Sequence, residues 1–124
     1  METITNIEQS KKLAEILPLE SADMCYKCVE DDPYDIVCKP YSEWKEEYKG
    51  LLVRGDANVI PCWSLAALLN VINDDYYTTL YHDGVAWNIT AIHHDNVKDK
   101  HNTYANTQVD ACYDLILKIK KSSI

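Results

Sequence analysis

The sequence predicts an α+β fold, a small antiparallel sheet of about three or four strands packed by about three or four helices. Three observations predict it. Stretches around Leu13, Leu68 and Cys112 carry apolar residues at helical spacing. The run from Tyr76 to Ile92 alternates in period two about an Asp83-Gly84 pair. The chain is 47% hydrophobic and 26% charged, close to the globular average. Its 124 residues suit a single domain over 1–124, with one core.

Thr5-Asn6-Ile7-Glu8 matches a capping box, with Thr5 capping a helix start and Glu8 reaching back. Ile7, Leu13, Ala14 and Leu17 make one stripe, and Pro18 pushes the residue before it out of helical geometry. The first helix therefore spans Asn6 to Leu17. Ala22 to Val29 is apolar and aromatic with partial alternation, and Glu30-Asp31-Asp32-Pro33 closes it, which predicts a strand. Tyr34 to Cys38 reads as a second short strand. Beyond Pro40, Ser42 is placed to cap a short helix and Gly50 to end it.

Leu65, Leu68, Leu69 and Ile72 follow the i, i+3, i+4, i+7 pattern of a helix from Pro61 to Asn73, with proline tolerated in the first turn. The Asp83-Gly84 pair then suggests a type I′ turn. That turn pairs His82 with Val85, Leu80 with Trp87, Thr78 with Ile89 and Tyr76 with Ala91. One face of this hairpin buries Leu80, Trp87 and Ile89, and the other leaves Thr79, Asn88 and Thr90 wet. His93 to Asn106 is polar and reads as a loop. Thr107-Gln108-Val109-Asp110 starts a last helix with Val109, Cys112, Ile116 and Ile119 facing inward, while Lys118, Lys120 and Lys121 suit the negative end of its dipole.

The formal net charge is −8, and Glu30, Asp31, Asp32, Asp35, Glu43, Glu46 and Glu47 concentrate acid between positions 30 and 47. Such a balance disfavours direct nucleic-acid binding, which normally rests on a basic patch. The acidic stretch reads as a solvated face or as a surface for a basic partner. No apolar run approaches the roughly 20 residues that span a bilayer, and Met1 to Ser10 lacks the pattern of a signal peptide. The expected location is therefore cytoplasmic, with no membrane partner. Five cysteines, an odd number, read as reduced thiols. Nine tyrosines and three tryptophans with no phenylalanine give nearly every large ring a polar handle, which suits core edges and contact surfaces.

Leu19-Glu20-Ser21-Ala22-Asp23-Met24-Cys25-Tyr26, Ile60-Pro61-Cys62-Trp63-Ser64-Leu65-Ala66-Ala67-Leu68-Leu69 and Val109-Asp110-Ala111-Cys112, in that order, resemble a family of small uncharacterised proteins from gut Bacteroidales and their phages. The Pro-Cys-Trp-Ser-Leu run is its most specific segment. The resemblance implies a phage or mobile-element context and no particular activity.

Cys62 at an expected helix start, with His93 and His94 after a later strand, is similar to the order in papain-like thiol hydrolases. There a helix end lowers a thiol pKa and an imidazole takes its proton. No oxyanion-hole motif accompanies these residues. Cys25-Tyr26-Lys27-Cys28 has the spacing of a zinc pair, yet no second pair lies at a matching interval. The adjacent side chains of His93-His94-Asp95 diverge in an extended chain and converge poorly on one ion. No metal or cofactor is expected. The leading reading is a non-catalytic interaction protein whose partner is another protein or a second copy of itself. The alternative is a thiol hydrolase using Cys62 with His93 or His94.

Overall fold

A computed structural model describes residues 3–27, 35–37 and 59–122. The α+β class holds: among the described residues, three α-helices accompany strands arranged in two three-stranded antiparallel sheets. The chain forms two compact units, one of Asn6–Ser64 and one that joins Met1–Thr5 to Leu65–Ile124.

The first unit opens with α1 (Ile7–Ile16). Asn6, not Thr5, caps it: the Asn6 side chain accepts the Gln9 amide, and Gln9 Oε1 accepts the Asn6 amide in return. The capping box thus sits one residue later than the sequence suggested, because Asn and Gln fill its two roles as well as Thr and Glu do. Leu17 leaves the helix in extended geometry before Pro18. A single 3₁₀ turn, Leu19–Ser21, leads into β1 (Met24–Lys27). The strand β1 pairs with β2 (Asp35–Val37) on one side and β3 (Val59–Cys62) on the other.

The expected helix from Pro61 is corrected here. Pro61 and Cys62 lie in β3, opposite Cys25 and Met24. Val59-Ile60-Pro61-Cys62 is a short continuous apolar run, which periodicity alone cannot assign to strand or helix. As an edge strand of the β2-β1-β3 sheet, β3 is also where a sheet tolerates a proline. Leu13, Leu17, Cys25, Ile60, Cys62 and Trp63 are buried, and α1 packs on β3. The acidic residues at 30–32 and 43–47, and the helix expected from Ser42, fall outside the described residues.

The second unit begins its continuous part with α2 (Leu65–Asn73), three residues later than β3 ends. Ala67, Leu68 and Ile72 are its buried stripe. Three strands follow as a meander: β4 (Tyr76–His82), β5 (Trp87–His93) and β6 (Lys100–Ala105). The helix α3 (Gln108–Ser122) then packs against β5, β6 and α2. Thr107 Oγ1 caps it by accepting the Asp110 amide at 3.0 Å. Val109, Cys112, Leu115 and Ile116 are buried, meeting Ile89 and Ala91 of the central strand in the core of this unit.

Two sequence expectations change in the meander. The 93–106 segment is not all loop, since Lys100–Ala105 forms β6. The hairpin register is also displaced by two residues: His82 faces Trp87, Leu80 faces Ile89, Thr78 faces Ala91 and Tyr76 faces His93. A shift by two preserves which residues share a face, so the division into inner and outer faces survives. The cause is Asp83, whose carboxylate accepts the amides of both Val85 and Ala86 at 2.9 Å and so lengthens the loop. Gly84, at φ 94°, supplies the left-handed residue. Asn88, expected to be wet, is buried because its side-chain amide donates to Asp83 and to the Ala86 carbonyl. On the inner face Ile89 is buried, whereas Leu80 and Trp87 are half-buried near the loop end.

Candidate functional site

Cys62, the candidate nucleophile, belongs to the first unit, and His93 and His94 belong to the second. Cys62 is the last residue of β3 and has no exposed surface. It is therefore not in the first turn of a helix, and the dipole argument for a lowered thiol pKa does not apply to it. The residues after it form a clasp. Trp63 is fully buried, and its Nε1–H donates to Ser21 Oγ at 2.9 Å. Ser21 Oγ in turn donates to the Pro18 carbonyl. The Asp23 carboxylate accepts the Ser64 amide at 2.9 Å and also the Ser64 hydroxyl. Ser21 and Asp23 of one segment singled out in the sequence thus meet Trp63 and Ser64 of another, and the contact is a buried ring with its polar atoms satisfied.

His93 and His94 close the end of β5. The His93 Nδ1 accepts the Asp95 amide at 3.1 Å, which engages a nitrogen that metal binding would need. His94 lies over the exposed Tyr77 ring, with centroids 4.3 Å apart. Nearby, Asp99 joins two partners the sequence did not single out. Its carboxylate accepts the Tyr76 hydroxyl at 2.9 Å and lies 2.7 Å from His101 Nε2. Burial, then the Asp99 hydrogen bond, pushes the Tyr76 phenol up to about 12. The same bond, aided by His101, holds Asp99 below the usual carboxylate range. Both groups move away from neutrality, the reverse of what general acid–base catalysis requires. The network instead ties β4, the 94–99 loop and β6 together. Among the described residues no group of three or more His, Cys, Asp or Glu is placed to hold a metal ion.

A small cleft between α2 and α3 is lined by Val71, Ile72, Asp75, Tyr76, Ile116, Ile119 and Lys120. Its volume of about 40 Å³ suits a water rather than an organic ligand, which typically needs some 300 Å³ or more. The Cys112 thiol, elsewhere in this unit, is pushed up to about 12 by burial, which makes it unreactive.

The outer face of the meander offers more. Cross-strand pairing places Tyr77, Ile92 and Lys100 in one row, Thr79, Thr90 and Asn102 in the next, and Tyr81, Asn88 and Tyr104 in the third. The rings of Tyr77, Tyr81 and Tyr104 are 69%, 46% and 71% exposed. No carboxylate projects from these rows, in a chain of net charge −8. Asn102 is held flat against the sheet by bonds to the Ile89 carbonyl and to Thr90 Oγ1. No family model, curated protein or solved structure matches this chain. The surface must therefore be read from its own chemistry. Tyrosine with Asn and Thr, and few charges, is the composition of protein contact surfaces: rigid aromatic area at low entropic cost, framed by adaptable hydrogen-bonding groups. Tyr77 and Tyr81 were readable from strand alternation, but Tyr104 was not, because its strand was read as loop.

Proposed function

We propose that this protein is a non-catalytic interaction module and that the outer face of the β4-β5-β6 sheet is its contact surface for another protein. The observation that carries this reading is the set of three exposed tyrosines in cross-strand rows that themselves contain no Asp or Glu, in an acidic chain. Supporting it, Cys62 and Cys112 are buried, and among the described residues no buried side-chain polar atom is left without a partner to point at a ligand. The accessory role in a phage or mobile-element setting rests on the sequence resemblance. No helix among the described residues is long and apolar enough to cross a membrane.

The test compares the wild-type chain with a Tyr77→Ser, Tyr81→Ser, Tyr104→Ser variant in capture experiments from the native host and in self-association by sedimentation. The three rings are largely exposed, so the variant should still fold, which its melting profile checks before binding is compared. The reading expects a saturable protein complex, with another chain or with itself, that the variant loses. An identical set of captured proteins and an identical sedimentation profile for both chains would contradict it.

A further inference from the structure

We propose that the two loops of the β4-β5-β6 sheet are closed by pH-sensitive latches, in which neutral His82 and His93 each accept a backbone amide two residues on and release it when protonated. All four histidines of the chain lie between positions 82 and 101. Two of them end strands in the same way. The Gly84 amide donates to His82 Nδ1 at 3.0 Å, closing the loop after β4. The Asp95 amide donates to His93 Nδ1 at 3.1 Å, closing the loop after β5. A backbone N–H only donates, so each Nδ1 must carry a lone pair and each ring must hold its proton on Nε2. Protonation places a hydrogen on Nδ1 and removes the acceptor.

The surroundings give each imidazolium an alternative partner. His82 faces the Trp87 ring across the sheet, at 5.1 Å between centroids, and interacts electrostatically with the neighbouring Asp83 carboxylate. His93 meets Tyr76 of β4 edge-on at 5.2 Å and interacts with Asp99 of the following loop. His101 of β6 pairs with that same Asp99, and Lys120 of α3 lines the cleft beside Tyr76. Acidification therefore exchanges an amide–imidazole bond for an imidazolium–carboxylate attraction, a local change between two arrangements rather than an unfolding. The loop that His93 closes also presents His94 to Tyr77, so release at this end alters one edge of the tyrosine face.

The test is nitrogen NMR of the whole chain, titrated from about pH 8 to about pH 5, a span that covers histidine titration. At the alkaline end the Nδ1 atoms of His82 and His93 should be unprotonated acceptors. On acidification the Gly84 and Asp95 amide shifts should follow the titration of their own histidine, and their protection factors, taken relative to the intrinsic exchange rate at each pH, should fall about fivefold, the ratio one modest hydrogen bond represents. His82→Ala should abolish the pH response of Gly84 and leave that of Asp95. An Nδ1–H tautomer at the alkaline end, or amide shifts that do not follow the imidazoles, would overturn the proposal. The tautomer is read on the wild-type chain, so it decides the matter even if the variant misfolds.

Discussion

Removing the Trp63 ring with Trp63→Ala should cost about 3–5 kcal/mol, the usual loss for a fully buried large aromatic. Trp63→Phe keeps most of the apolar area and deletes only the bond to Ser21, so it should cost about 1 kcal/mol. Chemical denaturation of the two variants checks both values. If they are equally damaging, the polar clasp outweighs the packing. Asp83 makes a prediction in pH. Hydrogen bonds from Ala86, Val85 and Asn88 hold its carboxyl down at about 2. A depressed carboxylate stabilises the loop above the ordinary aspartate range and loses that contribution as pH falls through about 2. The Val85 and Ala86 amide shifts should therefore move late in an acid titration. In Asp83→Asn, which keeps an acceptor but cannot ionise, that late movement should be absent. Tyr76 behaves in the opposite sense. Its neutral form is favoured, so the network it anchors is intact below the ordinary phenol range near 10 and is lost as pH rises through about 12. A phenolate absorbance titration of wild type against Tyr76→Phe should differ only in a late-ionising component.

At the level of elements, legibility followed periodicity. Three helices with apolar stripes were readable because Leu13, Leu68 and Cys112 sit in 3.6-residue patterns that tertiary packing then used. β6 was not readable. Its inward positions, His101, Thr103 and Ala105, are polar or small, and Thr103 contributes by donating to the Ala111 carbonyl at 2.7 Å rather than by bulk, so no apolar alternation marks the strand. β3 was hidden for the opposite reason, being uniformly apolar. The hairpin register slipped because a side chain, Asp83, organises the loop in place of the two-residue turn that Asp-Gly suggests. Gly84 nonetheless keeps a requirement the dipeptide announced. Gly84→Ala meets no steric neighbour, so its cost should be the backbone term alone, about 1–2 kcal/mol. Denaturant midpoints will show it, and a neutral result would mean the loop relaxes out of its left-handed residue.

For the molecule as a whole, the chemistry the sequence allowed and the surface the fold builds point in different directions. The Cys62 and His93 order is a pattern along the chain: Cys62 ends a buried strand of the first unit, and the His93 ring accepts a loop amide in the second. The tyrosine face has no linear signature, since its rings come from β4 and β6 and only the pairing through β5 brings them into rows. The most direct test places a photo-crosslinking phenylalanine analogue at Tyr81, and at Lys121 of α3 as a control, with the protein made in its native host. The account predicts a discrete adduct with one protein, or with a second copy, from position 81 and none from position 121. Equal adducts from both positions, or none from position 81 while the native complex still forms, would contradict it.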